Sequence, residues 1–315
     1  GLARGRQTRQ LQDMQIDRDT RRDLIGIGWM LATGACFVAV NGIVRGLGGA
    51  LPAPQAAFIR FVFGLVFLAP VLVGALRQGF SVPVWRLFAL RGGLHLMAVI
   101  MWFYAMSRIT VAEATAIGFL NPIMVTIGAA LFLGETLAGR RIAAIAVAFL
   151  GALIVLRPGL RPLDPGHLSQ VGAAVAFGTS YLLAKRLSGQ VPAATVVAVL
   201  SLTVSVGLAP IAWAVWVPPT PGQIGWLALV AGFATAGHYT MTRAFAAAPL
   251  AVTQPVTFLQ LIWASLLGVF VFHEPLDGWV ILGGGMMIGA ITYITWREAQ
   301  RRARTQTPPV NATKA

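Results

Sequence analysis

The chain has 315 residues, of which 57% are apolar and only 11% charged. No ordinary soluble domain needs so apolar a composition, so a globular fold in water is excluded and a lipid bilayer is indicated. Its 24 Lys and Arg against 10 Asp and Glu give a net charge of +14, but the basic residues gather at the ends of apolar segments rather than along one face, which excludes a nucleic-acid surface.

The first 23 residues, GLARGRQTRQLQDMQIDRDTRRD, carry no apolar core ahead of a small-residue cleavage site. They read as a flexible, basic cytoplasmic tail rather than a secretory signal. Beyond them, breaks of Gly, Pro and charge divide the chain into ten apolar segments, near 24–44, 54–76, 84–106, 111–133, 140–156, 168–187, 193–216, 223–247, 250–272 and 278–296. Each approaches the roughly 20 residues that a helix needs to cross the hydrocarbon. The joints leave no room for a soluble domain. With the N-terminus inside, most Lys and Arg fall on the cytoplasmic side, Arg77, Arg86, Arg91, Arg140, Arg141, Lys185, Arg186 and Arg243 among them. Only Arg45, Arg108, Arg157 and Arg161 lie outside, and Arg60 is left within a helix. The positive-inside rule predicts that asymmetry. It places the C-terminal tail, 297–315, in the cytoplasm and accounts for the net charge without a polyanionic partner. The single cysteine, Cys36, lies in the first apolar segment, so no intrachain disulfide is possible.

Two short acidic stretches, LGETL at 133–137 and FHEPL at 272–276, stand 139 residues apart. The same shift sets Ala89 on Ala228, Gly93 on Gly232, Phe119 on Phe258, Glu135 on Glu274 and Gly139 on Gly278, while a shift of 140 sets Arg45 on Lys185, Pro52 on Pro192 and Pro70 on Pro210. Two related halves follow, 24–156 and 168–296, joined by an extracytoplasmic connector at 157–167. Five helices per half is an odd number, so the halves are inverted in the membrane. Secondary transporters use that architecture, with a solute site near the midplane between the halves. The acids of the two stretches, Glu135 and Glu274, stand where a carboxylate accepts from the amides that begin the next helix.

The stretch 113–137, EATAIGFLNPIMVTIGAALFLGETL, followed by GRRIAAIAVAFLGALIVLRPG from Gly139, resembles the drug/metabolite transporter superfamily and its EamA-type ten-helix members. The second half repeats the pattern more loosely from Ala248 through Glu274. The resemblance covers most of 24–296 and implies an all-α membrane protein of ten transmembrane helices, arranged as two inverted five-helix repeats, that moves small organic metabolites across the inner membrane. Members include exporters of aromatic amino acids, and carriers of riboflavin, S-adenosylmethionine and sugars share the architecture. Amino acid export by alternating access is therefore the expected function, with import or export of another such metabolite as the alternative. A receptor or scaffold without transport is the rival class.

None of the ten acids falls at mid-membrane, which favours facilitated diffusion or exchange over proton or sodium coupling. His95 and His238 are the intramembrane groups able to titrate near neutrality, and either a proton relay or a satisfied core histidine fits them. Phe37 and Asn41 share a face of the first segment, and Phe177 and Tyr181 occupy the matching positions of the sixth. Asn121 and Gln260 are likewise equivalent, and an amide in hydrocarbon needs a partner, either a neighbouring helix or a polar solute. With His95, Trp102, His238, Tyr239, Gln254 and Thr257, these residues predict an aromatic-walled pocket for a small zwitterionic or heterocyclic solute. Pro122 and Pro255 remove backbone bonds within the fourth and ninth segments and are the expected gating hinges. Arg60 either snorkels to helix-end carbonyls or meets a substrate carboxylate, and its counterpart, Leu200, shows that the halves are not identical.

Glu113 follows Thr110 in TVAE, a capping-box pattern. The glycines Gly283, Gly284, Gly285 and Gly289 lack the strand and Lys of a phosphate loop and predict close helix packing. No nucleophile–base pair, metal cluster or cofactor motif occurs, so the chain is expected to be a monomeric carrier with a small-molecule solute and the bilayer as partners, and not an enzyme.

Overall fold

The computed structural model describes residues 2–121, 123–124, 127–128, 139–160, 162–188, 190–248, 256–257 and 259–306. Among them the chain forms α1 (Leu2–Leu47), α2 (Ala53–Phe67), α3 (Ala69–Gln78), α4 (Val82–Met106), α5 (Val111–Gly118), α6 (Gly139–Leu156), α7 (Pro165–Ser188), α8 (Ala193–Ala214), α9 (Pro221–Ala247), α10 (Leu259–Phe272) and α11 (Gly278–Gln306). The protein is all-α, as its composition predicts. Large apolar side chains face outward from the bundle, Val66, Val206, Trp213 and Phe270 among them. Water would penalise such a surface and lipid would not. The core is built largely from small residues, with Ala57, Ala98, Ala148, Ala173 and Ala198 fully buried, so that backbones approach closely.

Expectations for one span and for the terminal segments are corrected. The second predicted span, 54–76, is divided into α2 and α3, whose axes differ by 75°. Pro70 has no amide to give to the α2 ladder, and Leu68 closes α2 by donating to the Gly64 carbonyl at 3.1 Å. The N-terminal segment expected to be a flexible tail continues α1 as helix from Leu2, and the C-terminal segment continues α11 to Gln306. Between Gly5 and Gly26 no Gly or Pro interrupts a run rich in Arg, Gln and Leu, which are good helix formers.

The packing is symmetric under exchange of the halves. α1 packs on α9 and α4 on α7, while α2 meets α8, α5 meets α10 and α6 meets α11. Replacing each helix by its counterpart from the sequence repeat turns the first pair into the second and returns each of the others to itself. Glycine makes the closest of these contacts possible. A Cβ built on Gly283 would lie 2.4 Å from the Gly151 carbonyl oxygen, and one on Gly284 would lie 2.5 Å from Leu261. Gly285 and Gly289, expected to serve the same purpose, have nothing within 4 Å of an added Cβ.

Polar bonds between elements fasten the bundle, several of them away from the site described below. Gln55, fully buried at the start of α2, donates to the Val217 carbonyl at 2.6 Å and accepts from the Val217 amide at 2.9 Å, pinning α2 to the α8–α9 connection. Thr33 and Thr240 join α1 to α9 at 2.8 Å, Ser169 donates to the Met101 carbonyl at 2.9 Å between α7 and α4, and Gln170 donates to the Ala114 carbonyl at 2.8 Å between α7 and α5.

Candidate functional site

The rings singled out in the sequence meet where α1, α4, α7 and α9 converge. His95 is 2% exposed, and its ring centroid lies 5.0 Å from Phe177, 6.4 Å from Tyr181, 6.4 Å from His238 and 6.0 Å from Phe61. Phe177 and Tyr181 are stacked at 6.0 Å with 11° between their planes, and Phe37 meets His238 edge-on at 5.3 Å. The i, i+4 spacing of Phe177 and Tyr181 is what places one ring above the other on a single face of α7. His95 Nδ1 and Ser180 Oγ stand 3.2 Å apart, so this histidine is satisfied by a hydroxyl of the other half rather than by a backbone carbonyl.

Several predicted residues make other contacts. Asn41 donates to Thr115 Oγ1 at 3.4 Å, a bond to a neighbouring helix. Gln260 packs its Cγ against α1 at Gly34. Trp102 makes its ring contact with Phe103 at 5.0 Å, and Thr257 is partly buried. Tyr239 is 50% exposed and accepts from Arg243 at 2.9 Å, because adjacent helical positions diverge by about 100° and His238 takes the inward one. Asn121 sits against Gly178 of α7, and its Oδ1 is buried without a hydrogen-bond partner. Gln254, Pro122 and Pro255 lie outside the described residues.

Two cations border the rings. Arg60 sets its guanidinium carbon 4.2 Å over the centroid of Phe61 and lines a cavity of about 20 Å³ with Ser201, Thr235 and His238. Leu200, the counterpart of Arg60, lines the same cavity. That volume holds about one water, so the space beside Arg60, Phe61 and His238 is too small for a solute in this conformation. Arg91 is 4% exposed, one turn before His95. Its Nη1 donates to the Val196 carbonyl at 2.8 Å, and its Nε is buried without a partner. Arg91 and His95 are i and i+4 on α4, a spacing that could have revealed their shared face.

The acids gather elsewhere, around a pocket of about 180 Å³ lined by Thr110, Glu113, Ser265, Glu274 and Asp277. Glu274 accepts from Arg45 Nε at 2.9 Å and from the Val111 amide at 3.1 Å. This corrects the expected cap: the carboxylate receives the first amide of α5, in the other half, rather than that of the helix that follows it. The start of α11 is capped by Asp277, which accepts from the Trp279 amide at 2.9 Å and pairs with Arg157. Glu113 and Thr110 form the predicted capping box of α5, and Glu113 lies 3.3 Å from His167 Nε2. Glu135 lies outside the described residues. Asp164 pairs with Arg108 at 3.0 Å, and the bond from the Gly166 amide, aided by Arg108, holds its carboxyl below the usual carboxylate range.

A family model, EamA-like transporter family, matches twice, over residues 24–157 and 164–296. The chain belongs to the EamA-like transporter family. It is 31% identical to a riboflavin transporter of Rhizobium johnstonii over 90% of this chain and 95% of that protein. It is 26% identical to an S-adenosylmethionine uptake transporter of Rickettsia bellii (89% and 96%) and 25% identical to a pseudopaline exporter of Pseudomonas aeruginosa (85% and 95%). A solved crystal structure covers 90% of the chain at 19% identity with a TM-score of 0.58, a likeness of fold. This EamA protein is therefore a multi-pass inner-membrane transporter of small molecules and not an enzyme.

Proposed function

We propose that the chain exchanges a small ring-bearing metabolite across the membrane by alternating access between 24–156 and 168–296, inverted relative to each other and with both termini cytoplasmic. The observation that carries this reading is the ring cluster: Phe37 and His95 come from the first half, Phe177, Tyr181 and His238 from the second. A solute seated among these rings would contact both halves, so its binding would depend on how they sit against each other. Asn121, Gln260 and Thr257 are the proposed polar groups of the site, and Pro122 and Pro255 its proposed hinges. No mid-membrane carboxylate is available to carry a coupling ion among the described residues, which supports facilitated diffusion or exchange.

Amino acid export is the substrate reading that the sequence favours, with an aromatic amino acid fitting the ring-lined site. A second reading, a fused heterocycle such as riboflavin, is favoured by the 11° stack of Phe177 and Tyr181, which presents flat faces. Counterflow by purified protein in liposomes, with aromatic amino acids, riboflavin, S-adenosylmethionine and sugars as internal solutes, separates the readings. Saturable exchange of a ring-bearing solute is expected. Exchange of none of them, or of sugars alone, would refute the proposal.

A further inference from the structure

Arg60 and Arg91 have no carboxylate partner among the described residues, and Arg91 is far along its helix from the described acids. Arg91 lies 15 residues before Met106 along α4, about 22 Å at the helical rise per residue, and it is the Met106 end that meets Arg45 and Glu274. At the other end, Asp23 precedes Phe37 of the ring cluster by 14 residues of α1, about 21 Å. Both guanidinia are close enough to His95, His238 and Tyr181 to act on them electrostatically. Guanidinium remains charged under all ordinary conditions. Two such charges beside a ring cluster, without an ion-pair partner among the described residues and with one buried N–H unbonded, are an expensive arrangement unless an anion arrives to complete it.

We infer that the solute carries an oxyanion, carboxylate or phosphate, which binds at Arg60 with Arg91 reinforcing the field, while its ring lies against Phe177, Tyr181 and the histidines. This rests on the transport reading of the same site and adds the charge class of its solute. Arg60 lines the cavity together with Thr235 and with Ser201, whose hydroxyl here donates to the Val197 carbonyl at 3.2 Å and would turn to meet an anion. The asymmetry has a use. Leu200 stands across the pseudo-symmetric position, so one wall accepts charge and the other does not, and the solute is oriented by a single cationic side.

The test uses matched pairs that share a ring and differ in the oxyanion: indole-3-acetate against indole-3-ethanol for carboxylate, and riboflavin 5′-phosphate against riboflavin for phosphate. Each is titrated calorimetrically into the purified wild-type protein and into Arg60→Gln, Arg60→Lys and Arg91→Gln. The anionic member of at least one pair is expected to bind about tenfold more tightly or better, as one charge-assisted hydrogen bond allows. That advantage should vanish in Arg60→Gln, persist in Arg60→Lys and shrink in Arg91→Gln, with the neutral member unaffected. Equal binding within both pairs, no binding by any of the four, or an advantage that survives Arg60→Gln would overturn the inference. If Arg60→Gln fails to fold, the wild-type pairs decide. Counterflow measured alongside keeps the readings distinct, because failure to exchange any solute refutes transport at this site, whereas the calorimetric pairs judge the oxyanion.

Discussion

Glu274 offers the sharpest perturbation, because one carboxylate ties the end of α1 and the start of α5 to the loop between α10 and α11. Its side chain is 9% exposed and that of Arg45 is 22% exposed, so the pair is shielded more than a surface bridge but not fully buried. Glu274→Gln keeps an oxygen for the Val111 amide and removes the charge from the bond to Arg45, a loss of about 1.5–3 kcal/mol for a hydrogen bond between charged groups. Glu274→Ala also orphans the Val111 amide and loses about 3–5 kcal/mol. If this contact exists only while that face is closed, the Gln variant shifts the equilibrium toward the open face by about 10- to 150-fold. The assay is modification of Ser265→Cys, a pocket-lining position that is 9% exposed, by a membrane-impermeant maleimide in a Cys36→Ser background. Faster labelling by about tenfold or more is expected in Glu274→Gln. An unchanged rate with a lowered unfolding temperature would make the pair a structural tie rather than a latch, and no change in either would refute the energetic reasoning.

Other outcomes follow from local geometry. Gly283→Ala should lower thermal stability by about 1–3 kcal/mol, since its Cβ would meet the Gly151 carbonyl, whereas Gly285→Ala should leave it unchanged or raise it, as the unfolding temperatures in detergent will show. Gln55→Leu should cost about 1–3 kcal/mol by removing both bonds to the half-exposed Val217 backbone, measured the same way. Thr110→Ala removes the side-chain acceptor of the α5 cap and should cost about 1 kcal/mol. Because the folded Asp164 carboxyl is held below its ordinary value, its contribution is complete above the usual carboxylate range and is lost as pH falls through the lowered value. Comparison of wild type with Asp164→Asn should therefore show unfolding temperatures that differ at neutral pH and converge on acidification.

The apolar segments, the repeat and the ring residues were legible in the sequence because each rests on short-range periodicity or on matched positions. Phe37, His95, Phe177, Tyr181 and His238 do come together, and Glu113 and Thr110 cap α5 as their spacing requires. What was missed depends on contacts between distant segments. The burial of Arg91 beside the Val196 carbonyl joins α4 to α8, and Glu274, expected as a local cap, takes Arg45 and the Val111 amide as partners. Pro70 and Pro210 match in the repeat, yet the helix breaks at Pro70 and runs through Pro210. Tyr239 is expected inward with His238, but neighbouring positions of one helix diverge by about 100° and it faces outward.

The most direct measurement bridges the two halves across the acidic pocket. Ala112→Cys and Leu276→Cys place one thiol on α5 and one on the α10–α11 loop, both lining that pocket, in a Cys36→Ser background. Counterflow is then followed in liposomes before and after linkage with a cleavable bifunctional thiol reagent. Linkage should stop exchange and reductive cleavage should restore it; full exchange through the linked protein would contradict movement of one half against the other.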